Sequence, residues 1–141
     1  MSQTTREAEQ LVTDYVAAWN ERAYDRLPDL VSESVAVYNP SAPEGEIHGR
    51  EALEEFMGGV LAAFPDFRVT VNEMVADGDV VMYDADLTMT HEGEFDGVPP
   101  TGRTVELREM AKYRVAEGRI QEYRACFDRQ SFLEQLGLVE G

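Results

Sequence analysis

Val81-Met82-Tyr83-Asp84-Ala85-Asp86-Leu87-Thr88-Met89-Thr90-His91 decides how the chain is read. Val81, Tyr83, Ala85, Leu87, Met89 and His91 occupy every second position, and Asp84, Asp86, Thr88 and Thr90 fall between them. A period of two is the mark of a half-buried strand, one face on a core and the other toward water. His91 belongs to the inward set and stands at the end of the strand. The next residues, Glu92 to Arg103, form a loop with three glycines and the pair Pro99-Pro100.

Working outward, the same alternation predicts strands over 67–75, 79–91, 103–115 and 119–128. Asp77-Gly78 and Glu117-Gly118 mark two tight hairpins. The N-terminal half has the helical period instead. Thr4 with Glu7 reads as a capping box opening a helix through Glu21, whose apolar face is Leu11, Val12, Tyr15, Val16 and Trp19. A short helix over 24–31, a strand at Val35–Asn39 and a second amphipathic helix at Gly49–Phe64 follow. A closing helix over 129–136 stops at Gly137. Helices followed by an antiparallel meander define an α+β fold, and the length favours one domain over 1–141.

Composition narrows the function. Asp and Glu number 28 against 12 Lys and Arg, for a net charge of −16, and Lys112 is the only lysine. Such a chain repels phosphate backbones and anionic membranes, so neither nucleic acid nor membrane is an expected partner. Dispersed acids with one lysine point to a halophilic protein, in which salt screens the self-repulsion; an acidic protein of ordinary habitat is the alternative. Cys126 is the only cysteine, so no intrachain disulfide forms. The first residues have no signal-peptide pattern and no apolar run is long enough for a membrane span, which leads us to expect a cytoplasmic protein. Nucleophile elbows, phosphate loops, HExxH and dinucleotide fingerprints are missing, and two histidines without ligand spacing make no metal site. Acid/base chemistry without metal or cofactor is what remains.

The third strand of the meander places Val105, Leu107, Glu109, Ala111, Tyr113 and Val115 inward, and Glu109 is the one acid in that row. A buried carboxylate costs several kcal/mol unless it is paired or stays protonated, so Glu109 is a substrate-binding candidate. In the last strand two registers compete. A two-residue turn at Glu117-Gly118 sends Ile120, Glu122, Arg124, Cys126 and Asp128 inward; a three-residue loop sends Tyr123, Ala125 and Phe127 inward. Glutamate disfavours the positive φ of the first. The first hairpin is expected to take a three-residue loop that sets Phe67, Val69 and Val71 opposite Leu87, Ala85 and Tyr83.

His91-Glu92-Gly93-Glu94-Phe95 with Gly97-Val98-Pro99-Pro100-Thr101-Gly102-Arg103 resembles the loop of SnoaL-like polyketide cyclases of the NTF2-like superfamily. Gly118-Arg119-Ile120-Gln121-Glu122, Trp19-Asn20, Phe64-Pro65-Asp66 and the ending through Gln135-Leu136-Gly137 resemble that family too. The resemblance implies a cone, with a curved antiparallel sheet wrapped around a pocket that the N-terminal helices close, usually as a homodimer. It further implies a small-molecule substrate and an aspartate acid/base, for which Asp128 is the matching candidate. It favours the register with Ile120, Arg124 and Asp128 inside. Arg124 replaces the family's common tryptophan, which implies an anionic or more polar ligand if it lines the pocket.

Each candidate has a plain structural reading beside it. Asp128 caps the closing helix by accepting the N–H of Ser131, or works as general base and acid, or does both. His91 pins the loop or donates to substrate. Glu109 and Arg124 orient the substrate or form a buried ion pair, or Glu109 pairs with an inward helix residue. Tyr15, Trp19 and Tyr83 are substrate contacts or core. The expected function is a cyclase or isomerase of ester/polyketide cyclase type acting on a carbonyl substrate. The alternative is an NTF2-like binding or scaffold protein without chemistry.

Overall fold

The computed structural model describes residues 2–139. Helix α1 spans Gln3–Glu21 and buries Ala8, Val12, Tyr15, Val16 and Trp19 along one face. Its cap is Ser2, whose side chain accepts from the N–H of Thr5, two residues before the expected Thr4 box. The helix ends where Arg22 turns left-handed at φ 56. Asn20 then reaches β3 (Arg68–Asp77): its amide donates to the Val69 carbonyl at 2.9 Å and accepts the Val69 N–H at 2.8 Å. That two-point bond imitates a neighbouring strand and fixes Trp19 against the sheet.

After a 3-10 turn at Tyr24–Arg26 come α2 (Leu27–Leu30), β1 (Val31–Tyr38), the short β2 (Glu46–His48) and α3 (Arg50–Ala63). The meander is β3, β4 (Val80–Thr90), β5 (Thr104–Ala116) and β6 (Arg119–Cys126), closed by α4 (Arg129–Gln135). The six strands lie in the order β2-β1-β6-β5-β4-β3. The meander is antiparallel as the alternation predicts, while β1 pairs with β6 in parallel and makes the sheet mixed. β2 and the first part of β1 are additions to the predicted strands.

The first hairpin departs from expectation, and the second takes one of the two turns that the sequence left open. The first has a two-residue turn, Gly78-Asp79, with Asp77 opposite Val80. A bulge between Val71 and Glu73 then sets Val69 opposite Leu87 and Val71 opposite Ala85, two residues from the predicted alignment. The second is also a two-residue turn, with Glu117 at φ 54 and Gly118 at φ 73. A bulge between Arg114 and Val115 follows. One extra residue reverses the inside-outside order of everything beyond it. Ile120 therefore points inward, and so do Tyr123 and Ala125, all of them buried. Bulges also bend the strands that carry them, which curves the sheet over α1 and α3.

Candidate functional site

The concave face and the helices enclose a cavity of about 70 Å³. α1 contributes Tyr15 and Trp19; α3 contributes Phe56 and Val60; its C-cap residue, Phe64, completes that wall. β4 and β5 supply Tyr83, Leu87, Leu107, Glu109 and Tyr113. Tyr123, Ala125 and Phe127 follow from the last strand, Asn39 and Ser41 from the end of β1, and Phe132 from α4. A drug-sized pocket usually measures roughly 300–1,000 Å³. The cavity is smaller than that, and the half-buried Phe56, Phe95 and Phe127 are among its lining residues.

Glu109 is 8% exposed and is the only charged side chain on the cavity wall among the described residues. Tyr83 donates its hydroxyl to Glu109 Oε1 at 3.1 Å, and the Tyr83 and Tyr113 hydroxyls are 2.9 Å apart. Because the Tyr83 proton goes to Glu109, the Tyr113 hydroxyl donates to Tyr83. Tyr15 and Tyr123 meet hydroxyl to hydroxyl at 2.5 Å. In such a pair one proton is spent on the partner and the other is free for a ligand oxygen. Tyr113 stacks on Tyr123 with centroids 4.7 Å apart, and Tyr15 packs edge-on to both. Loss of water raises the Glu109 pKa to about 7, against a smaller lowering by the Tyr83 hydrogen bond. Burial likewise pushes all four tyrosines above their usual range, so they act as donors and stay neutral.

The loop after β4 is fastened at its base. The Glu92 and Gly93 N–H groups donate to the Ala63 carbonyl at 2.9 and 3.0 Å. Asp66 accepts from the backbone N–H and the hydroxyl of Thr90. His91 is fully buried, yet it is not on the cavity wall. Its ring lies behind Phe64, centroids 5.3 Å apart. Nδ1 accepts the Thr101 N–H at 3.2 Å and lies 3.1 Å from the Thr101 hydroxyl, which puts the imidazole proton on Nε2. His91 so placed staples the two ends of the loop, and the loop carries Phe95 to the cavity.

The structure thus brings Tyr15, Trp19, Tyr83 and Glu109 together and leaves three other candidates outside. Arg124 and Asp128 are exposed, a correction to the inner-face register, because the bulge in β6 turns the even-numbered residues beyond Gln121 outward. Arg124 covers the Tyr38 ring from 4.3 Å. Asp128 caps α4 by accepting the Ser131 N–H at 3.0 Å. Glu109 consequently has Tyr83, not Arg124, as its partner. Sequence reasoning passed over Tyr113 although it stood in the inward row, and Tyr123 could be placed only by locating the bulge. The pocket residues Asn39 and Phe132 carried no periodic signal of their own, whereas Phe64 stood in the apolar row of the second helix.

A curved sheet closed by helices around one desolvated carboxyl and four tyrosines defines a small-molecule pocket protein. Residues 9–136 match the SnoaL-like polyketide cyclase family, and the chain belongs to it. The chain is 29% identical over 124 residues to nogalonic acid methyl ester cyclase of Streptomyces nogalater, covering 86% of this chain and 91% of that one. It is also similar to the crystal structure of IdmH, a proposed polyketide cyclase from Streptomyces antibioticus, with 31% identity, TM-score 0.79, and 92% and 98% of the two chains covered. A SnoaL-like structure from Jannaschia sp. CCS1 superimposes with TM-score 0.87 at 22% identity, over 99% and 97% of the chains, and supports the fold alone.

Proposed function

We propose that this chain is an enzyme of cyclase or isomerase type that moves a proton beside a carbonyl, with Glu109 as the acid/base. The observation that carries this reading is a carboxyl in an aromatic cavity with its pKa raised to about 7, so that near neutrality both its forms are populated. Ionised Glu109 takes a proton from the carbon next to a substrate carbonyl. The free hydroxyl proton of the Tyr15–Tyr123 pair bonds the enolate oxygen as charge develops there. In a cyclisation the enolate carbon attacks a second carbonyl of the same molecule, a carbon–carbon bond forms, and Glu109 returns the proton to the new alkoxide. Protons and electrons balance without an added cofactor. The name of the Streptomyces nogalater relative supports an ester of a polyketide-derived acid as the kind of substrate.

The test follows α-proton exchange and ring closure by NMR in heavy water, with nogalonic acid methyl ester and an aryl 1,3-diketone as substrates. Wild-type protein should accelerate exchange as pH rises through about 7. Glu109→Gln, folded, should lose roughly a hundredfold or more. No enzyme-dependent exchange with either compound refutes the reading. The second reading, a binding protein without turnover, draws on how closely the four tyrosines pack around Glu109; it expects ligand binding with no exchange at all.

We also propose a homodimer through the outer face of the sheet, a halophilic habitat and a cytoplasmic location. Arg68, Arg108, Lys112, Arg114 and Arg124, five of the 12 cations, stand outward on the meander, together with the exposed Val75, Met82 and Met110. That face escapes most of the repulsion which a net charge of −16 sets up elsewhere. The lone, exposed Cys126 thiol suits a reducing compartment. No helix of the described residues is long and apolar enough to cross a membrane.

A further inference from the structure

The chemistry proposed above uses Glu109 and the Tyr15–Tyr123 pair, and it leaves the buried hydroxyl of Tyr113 without a task. The strand register explains how that hydroxyl comes near the carboxyl. Glu109, Ala111 and Tyr113 stand in one inward row of β5, and Tyr83 of β4 pairs with Ala111, the middle of the three. Tyr83 is therefore diagonal to both Glu109 and Tyr113, a separation of about 7–8 Å that an aromatic side chain spans. Ala111, and Ala125 opposite it on β6, are too small to stand in the way. The Tyr83 hydroxyl thus reaches Glu109 Oε1 at 3.1 Å and the Tyr113 hydroxyl at 2.9 Å.

Along this row the protons run one way. A carboxylate only accepts, so Tyr83 donates to Oε1 and its own oxygen is left to accept from Tyr113. Each bond in such a chain polarises the next, which strengthens the last one on the ionised carboxyl. The other titratable groups that act on Glu109 are Tyr15 of α1 and Tyr123 of β6, and those two hydroxyls are bonded to each other. Among the described residues no Arg, Lys or His lines the cavity. Oε2 of Glu109 has no partner among them either and is not fully enclosed, so it is the oxygen open to the cavity. The grip on Oε1 decides which oxygen that is.

We infer that Tyr113 is a positioning residue: by donating to Tyr83 it tightens the Tyr83–Glu109 bond, holds Oε1 there and keeps Oε2 toward the cavity. Its place in catalysis rests on Glu109 being the acid/base proposed above. The coupling itself is read on the carboxyl without turnover, so it can fail while the acid/base reading stands, and the reverse.

Carbon-detected NMR follows the Glu109 titration in the full chain as wild type, Tyr83→Phe, Tyr113→Phe and the double variant, with Glu109→Gln assigning the signal. Phenylalanine keeps each ring, including the stack of residue 113 on Tyr123, so a Tyr113 that only packs leaves the titration where it was. Tyr83→Phe should raise the midpoint by about one pH unit, because its hydrogen bond favours the ionised form. Tyr113→Phe should raise it by about 0.3 unit through the weakened Tyr83 bond, and should add nothing in the Tyr83→Phe background. The midpoint of α-proton exchange against pH should move upward by the same amount as the titration. An unchanged titration in Tyr113→Phe, or a rise that persists undiminished without the Tyr83 hydroxyl, overturns the inference. Absence of exchange in the wild type refutes the acid/base reading instead, and the titrations still decide this one.

Discussion

Glu109 sits where the surrounding side chains offer hydroxyls and no cation, and its ionisation is a folding cost. Its pKa rises from an ordinary 4.5 to about 7 on burial. The folded state then holds the proton more tightly than the unfolded one, so this stability is fully present below pH 4.5. It declines as pH rises and is lost above about 7. The full change is about 3 kcal/mol. Glu109→Gln keeps an oxygen for Tyr83 and has no proton to lose. Urea unfolding should find the variant more stable than wild type at pH 8, and the gap should close toward pH 4. Tyr83→Phe acts in the opposite sense, since its hydrogen bond lowers the Glu109 pKa. Carbon-detected NMR should find Glu109 titrating higher in that variant. An inward acid at 109 was legible from alternation alone; its partner was not, because the expected partners were Arg124 or an inward helix residue, and Tyr83 of the neighbouring strand takes that place.

Two elements hold the cavity's border, and each has a residue that decides it. The loop after β4 crosses the end of α3 so closely that a Cβ on Gly93 would lie 2.5 Å from the Ala62 carbonyl oxygen. Gly93→Ala should cost roughly 1–3 kcal/mol by overpacking, read as a lower urea midpoint. It should also displace Phe95, the loop's contribution to the wall. α4 depends on Asp128. Asp128→Ala should lose about 0.5–2 kcal/mol, whereas Asp128→Asn, an equally good cap, should be nearly silent in both stability and turnover. If Asp128→Asn instead abolishes exchange in a folded protein, the acid/base belongs to Asp128 and the reading of Glu109 is wrong. Gln135 seats the same helix by bonding both the N–H and the carbonyl of Glu106, at 2.8 and 2.9 Å, where β5 runs past the end of β6.

At the scale of the molecule, charge sets the conditions under which the fold holds. A net charge of −16 on 141 residues destabilises the compact state, and ions screen that repulsion within about 8–10 Å. The melting temperature should rise between low salt and molar potassium chloride, and a flat curve would remove the halophilic reading. Sedimentation over the same range reads the assembly: the proposed dimer should strengthen as repulsion is screened, and a monomer throughout would dismiss it.

What the sequence by itself determined is whatever local periodicity carries. Helices α1 and α3, the four-strand meander, and the inward rows with Tyr83, His91, Glu109 and Tyr113 all follow from spacing within one segment. Only the tertiary structure decided the rest. The parallel pairing of β1 with β6 joins segments far apart in the chain, and β2 is three residues long, too short for a period to show. The bulges decided most. Alternation has period two, so one inserted residue in β6 exchanges its faces, and no pattern within the strand reports the insertion. That single shift puts Tyr123 in the cavity and Arg124 and Asp128 in water, and leaves Glu109 the only carboxyl the described cavity holds.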